Sequence, residues 1–158
     1  MKKHIKHALL FALALLLALP VFSQSKEDAI KKVCIAETQA WLDADLNAWA
    51  AAHAQHENET IVFTNPDGTF FSLVGWDNIY KVIKEGAATA KKDDSKLGNT
   101  NFTYIIQTDM AFVAYDQTLT AADGKVSKSR ENRSLILKDG QWKIVAVLAF
   151  YDSSGDKK

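Results

Sequence analysis

The chain has 158 residues, 19 basic and 19 acidic side chains, 47% hydrophobic residues and one cysteine. That length suits a single domain with a core of its own. The balanced charge leaves no basic stripe for nucleic acid, and a lone cysteine excludes an internal disulfide framework, so that Cys34 reads as a core residue, with an intermolecular disulfide or reactive thiol as the alternative.

Residues 1–7 carry Lys2, Lys3 and Lys6 and precede an uncharged apolar run, Ala8 to Phe22. This is the layout of a secretory signal peptide. The run is shorter than the roughly 20 residues that span a bilayer, and Pro20 interrupts it. Cleavage is expected after Ser23, dividing the chain into a signal segment 1–23 and one mature domain 24–158, periplasmic or secreted and without a stable membrane anchor. The mature part has a formal charge of −3, because three of the 19 basic residues and none of the acidic ones are removed.

Ser25 and Asp28 form a capping-box pattern, and the absence of Gly and Pro beyond them predicts a helix over 26–44. Ile30, Val33, Cys34, Glu37 and Trp41 share one face of it. Asp45 caps a second, shorter helix with Leu46, Trp49 and His53 on a common face. The β-branched run Thr60 to Thr64 predicts a strand, Pro66-Asp67-Gly68 a turn, and Phe70 to Val74 a return strand. Gly75 opens a third helix on which Trp76, Ile79, Tyr80, Ile83 and Ala87 repeat at helical spacing. Lys91 to Thr100 reads as a loop. Strands are predicted over 101–108, 110–120, 126–138 and 141–151, with Asp123-Gly124 and Asp139-Gly140 as two-residue hairpin turns. Helices followed by a meander of long strands make an α+β domain with helices on one sheet face.

Two-residue turns fix which residues face each other. The second turn pairs Leu137 with Trp142, Leu135 with Ile144, Arg133 with Ala146 and Glu131 with Leu148. The first sets Asp116 opposite Glu131, Ala114 opposite Arg133 and Phe112 opposite Leu135. One face then holds Asp116, Glu131 and Arg133 at the end of an apolar wall. Asp116 and Glu131 are the candidate acid or base of a pocket and Arg133 a candidate ligand-binding cation; a solvent-exposed ion-pair ladder is the alternative. The other face would carry Val113, Tyr115, Ile136, Val145, Val147 and Ala149. A sheet with two apolar faces has both covered, so a homodimer through the sheet is expected.

Trp76 and Trp142 are candidate walls of a cavity. His53 and His56, with Glu57 beside them, lack a third ligand at a recognised spacing, so no metal site is assigned, and His56 is kept as a residue of the pocket mouth. No nucleophile elbow or phosphate-binding glycine loop occurs. Asn58, Asn101 and Asn132 open Asn-x-Ser/Thr triplets; two fall in predicted strands and are read as chance.

The order and spacing of several segments resemble the nuclear transport factor 2-like superfamily, in particular its SnoaL-like branch. They are Trp41 to Trp49 with Asp45, His56-Glu57-Asn58, Gly75-Trp76-Asp77, Asp109 to Val113, Arg130-Glu131-Asn132-Arg133 and Leu137 to Val145 with its Gly-x-Trp-Lys-Ile. The resemblance implies a cone of curved antiparallel sheet closed by three helices, with a pocket between and commonly a dimer through the outer face. It also implies either ligand binding or proton-transfer chemistry by an isomerase, cyclase or dehydratase. Ala146 and Leu148 stand where many such proteins carry histidine.

The leading expectation is a domain that binds a small, largely apolar molecule. In the enzymatic alternative Asp116 or Glu131 is the base, Arg133 or Tyr80 helps stabilise an enolate, and no cofactor is required. A protein-interaction module using the sheet face is the third reading.

Overall fold

A computed structural model describes residues 25–65 and 67–151. The expected signal segment lies outside these residues, as does Pro66. Three helices, α1 (Lys26–Leu42), α2 (Leu46–Ala52) and α3 (Trp76–Ala87), accompany six strands. The strands are β1 (Thr60–Thr64), β2 (Phe70–Val74), β3 (Lys96–Ile106), β4 (Met110–Thr120), β5 (Val126–Lys138) and β6 (Gln141–Tyr151).

The expected caps form. Ser25 Oγ accepts the Asp28 N–H at 3.1 Å, and Asp45 accepts the Ala48 N–H at 2.9 Å, each satisfying a helix-terminal donor that has no partner within the helix. Gly75 opens α3 at φ +85°, a left-handed conformation suited to glycine.

The strands make one curved, open sheet in the order β2-β1-β6-β5-β4-β3. All neighbours are antiparallel except β1 and β6, which run parallel. The expected loop 91–100 is shorter than its composition suggests, because β3 already begins at Lys96 opposite Thr120. This polar edge strand is held by backbone pairing that side-chain pattern does not announce. Ile30, Cys34, Ile79, Val113, Tyr115, Leu135 and Ile144 are fully buried between helices and sheet.

The register departs from expectation twice. Asp123-Gly124 lies inside a five-residue connection, since Thr120 pairs with Val126, and Ala121 N–H donates to Lys125 O at 2.9 Å. The β4–β5 pairing therefore slips by one residue. Asp116 faces Arg130, Tyr115 faces Glu131, and Val113 faces Arg133. Asp139-Gly140 is the expected two-residue turn, with φ of 51° and 74°, and Leu137–Trp142 and Leu135–Ile144 pair as expected. Beyond them a bulge admits Val145 as an extra residue, so Arg133 faces Val147 and Glu131 faces Ala149.

The two shifts redistribute the faces. Val113, Tyr115, Val147 and Ala149 belong to the buried face with Glu131 and Arg133. The outer face carries Ile105, Phe112, Ile136, Leu148 and Phe150 instead, together with Phe70 and Val74 of the far edge. Ala146 and Leu148, at the places where many proteins of the resembled family carry histidine, also lie on this outer face.

Candidate functional site

A chain of buried polar side chains crosses the interior. Glu37 of α1 accepts from Trp49 Nε1 at 2.9 Å and from Arg133 Nη2 at 3.2 Å. Arg133 Nη1 donates to Glu131 Oε2 at 2.7 Å, whose other oxygen accepts from Ser129 Oγ. On the far side of Glu37, His53 Nε2 lies 3.6 Å from Oε1, and His53 Nδ1 meets Glu59 Oε1 at 2.5 Å. The remaining oxygen of Glu59 accepts the backbone N–H groups of Gln55 and His56. Glu37, His53, Glu59, Ser129, Glu131 and Arg133 are all buried.

Local structure explains the placement. Glu37 lies one turn after Cys34 on the inward stripe of α1. His53 ends α2, and the segment behind it docks on β6, where Ala54 N–H donates to Ile144 O at 2.7 Å. Alternation along β5 sends Ser129, Glu131, Arg133 and Leu135 to the same face.

Each charge is set by its neighbours. Burial alone would push the Glu37 carboxyl up, but the Arg133 charge, the nearby His53 and a hydrogen bond from Trp49 outweigh it and hold the group down at about 2. Burial disfavours the charged form of His53, yet its contacts with Glu37 and Glu59 prevail and raise its pKa. Desolvation would lower Arg133, and the surrounding Glu37, Tyr115 and Glu131 raise it instead. Cys34, buried beside them, has its thiol pushed up to about 12 by desolvation, which leaves it a core side chain with little thiolate character.

A pocket of about 150 Å³ opens onto this network. Glu37, Glu131, Arg133 and Gln117 supply its polar wall, and Trp41, Leu42, Trp49, Ile61, Phe63 and Leu119 much of its apolar one. Trp41 is half exposed at its edge. The pocket shares Trp41, Leu42, Trp49, Ile83 and Asp93 with an adjoining one of about 220 Å³ between the helices.

Of the residues singled out in the sequence, Glu131 and Arg133 meet here. Asp116 does not: the one-residue slip turns it to the outer face, where Arg130 Nη1 and Asn101 Nδ2 hold it at 2.8 and 2.7 Å and keep its carboxyl below the ordinary range. Trp76, Tyr80, Trp142 and His56 are not among the pocket's lining residues. Trp76 stacks behind Trp49 and Tyr80 behind Trp76, at 6.0 and 5.4 Å between centroids. Trp142 is buried opposite Leu137, and His56 Nδ1 accepts the Asn58 N–H. Arg133 is also less available than expected, because Glu37 and Glu131 occupy both of its terminal nitrogens.

Sequence reasoning missed Glu59, weighed His53 only beside His56 as a metal ligand, and placed Glu37 on one face of α1 without giving it a role. A carboxylate on an apolar helical stripe was the available signal. Among the described residues, no group of three or more His, Cys, Asp or Glu is placed to hold a metal ion.

No family model and no curated protein matches the chain. Solved structures do. An NTF2-like protein of unknown function from Shewanella oneidensis is 18% identical, with a TM-score of 0.61 over 80% of this chain and 99% of its own. A Xanthomonas campestris protein with the provisional name of a calcium/calmodulin-dependent protein kinase II association domain is 17% identical, with a TM-score of 0.60 over 87% and 94%. A Novosphingobium aromaticivorans protein provisionally named a scytalone dehydratase is 16% identical, with a TM-score of 0.59 over 80% and 84%. With three helices on one face of a curved six-stranded sheet, this chain has the nuclear transport factor 2-like fold.

Proposed function

We propose that the mature domain, exported by means of segment 1–23, binds a small, largely apolar molecule in the pocket between helices and sheet. The observation that carries this reading is the pocket itself: aromatic and aliphatic walls meet a short polar stretch built from Glu37, Gln117, Glu131 and Arg133. Few polar groups on an otherwise apolar wall are the usual composition of a small-molecule site. Native mass spectrometry of the protein purified from its export compartment tests the proposal. A co-purifying small molecule is expected, and it should be lost from Leu119→Trp, which fills the pocket. Retention of the same mass by that variant would place the ligand elsewhere.

Proton transfer next to a carbonyl is the second reading, favoured by the carboxylates of Glu37 and Glu131 on the pocket wall and by the provisional dehydratase name of the Novosphingobium protein. Glu131 is then the candidate base, while Asp116, on the outer face, has no access to the pocket. We further propose a homodimer through that outer face. Phe70, Val74, Ile105, Phe112 and Phe150 are exposed there, a large apolar patch to leave in water, and the Xanthomonas protein's name is that of an association domain.

A further inference from the structure

We propose that the pocket selects an organic cation, an ammonium group on an aromatic or aliphatic body, over a carboxylic acid or alcohol of the same shape. The inference rests on the ligand-binding reading above and adds the charge of the ligand.

Charge comes first. Among the described residues, Glu37, Asp93 and Glu131 line the pocket, and Arg133 is the only basic side chain that does. Both terminal nitrogens of Arg133 already meet carboxylates, at 3.2 Å to Glu37 and 2.7 Å to Glu131, so its charge is cancelled locally. Behind the wall, His53 contributes one positive charge when protonated, and Glu59 offsets it. The buried set of Glu37, His53, Glu59, Glu131 and Arg133 thus keeps an excess of one negative charge even with His53 charged. The adjoining pocket adds Asp45 and Lys91, which cancel. An entering carboxylate would meet that excess in a partly desolvated site, where like charges are costly; an ammonium would neutralise it.

The walls favour the same ligand. Trp41, Trp49, Phe63 and Tyr151 line the pocket, and aromatic faces attract cations through the ring quadrupole. Gln117, buried on the pocket wall, has a side-chain oxygen without a hydrogen-bond partner, an acceptor that an ammonium N–H can satisfy. Arg133 Nε is the unmatched donor of the wall. It lies on a guanidinium whose charge is already met, next to the Tyr115 ring at 5.8 Å from Cζ to centroid, and so adds little pull on an anion.

Three probes of one shape decide the matter: phenethylamine, phenethyl alcohol and phenylacetate, titrated calorimetrically into the mature protein at neutral pH. Phenethylamine should bind about tenfold or more tighter than the alcohol, phenylacetate weakest of the three, and Leu119→Trp should abolish the amine's binding. Equal or tighter binding of alcohol or acid would overturn the charge selectivity while leaving the ligand-binding reading in place. Amine binding that survives Leu119→Trp would remove the selectivity from this pocket. Binding of none of the three would overturn the selectivity, and a co-purifying mass would then still report on the ligand-binding reading independently.

Discussion

Strands β4 and β5 carry two ion pairs of the same chemistry in opposite surroundings. Asp116 and Arg130 meet on the outer face with more than two fifths of each side chain in water. Glu131 and Arg133 meet on the inner face with almost none. Both arginines contact a carboxylate at under 3 Å, so distance does not separate them. Solvent does. Water would solvate Asp116 or Arg130 if its partner were lost, whereas Glu131 and Arg133 are buried against each other, Ser129, Glu37 and the Asn132 carbonyl. The inner pair is therefore tied into a network spanning α1, α2, the segment before β1, and β5, and the outer one is a local surface contact.

The sharpest way to break the comparison is Arg133→Ala. It leaves Glu131 buried without a counter-charge and Glu37 with His53 alone, and a loss of roughly 3–5 kcal/mol is expected, measured as a drop in the midpoint of chemical denaturation. A change under 1 kcal/mol would mean that the network tolerates an unpaired carboxylate, contrary to its burial.

The pH dependence of stability should follow mainly the inner network, since the lowered carboxyl of Asp116 is solvent-exposed and contributes less. Glu37 is lowered from 4.5 to about 2, so its contribution is complete above 4.5 and lost as the pH falls from there towards 2. His53 is raised above 6.5, so its contribution is complete below 6.5 and lost as the pH rises through the higher folded value. The melting temperature should peak in the mildly acidic range and decline on both sides. A melting temperature that rises with pH above neutrality would show that His53 is not held charged by Glu37 and Glu59.

Arg130→Ala is the smallest perturbation. An exposed pair contributes about 0–1 kcal/mol, and the variant should melt within a few degrees of the parent and keep the same pH profile. A loss comparable to that of Arg133→Ala would erase the distinction between the faces.

Most of the fold was legible because its signals are local. The cap residues Ser25 and Asp45, the Asp139-Gly140 turn and the long alternating strands each specify their own conformation from a few neighbouring side chains. The candidate site was legible only in part. Glu131 and Arg133 were placed together by alternation within one strand, a relation that no turn can disturb. Asp116 was misplaced because its position depends on counting through the 121–125 connection, where Asp123-Gly124 occupies part of a longer turn. The pairing of His53 with Glu59 was out of reach for a different reason. Their contact is made by a short irregular segment folded back on itself and docked on β6, and no periodicity encodes such a path.

The extra residue at Val145 also sets the room available beside the network. Without it, an unbroken ladder would bring Leu148 opposite Glu131 and Ala146 opposite Arg133; with it, those places go to Ala149 and Val147. The side chain facing Glu131 is consequently an alanine and not a leucine, with less bulk standing against the carboxylate. A single-residue insertion or deletion in β6 would therefore exchange the whole inward set beyond it in one step. Descendants of this chain could resize the pocket and change its lining through the length of one strand, leaving every side chain of the opposing strand as it is.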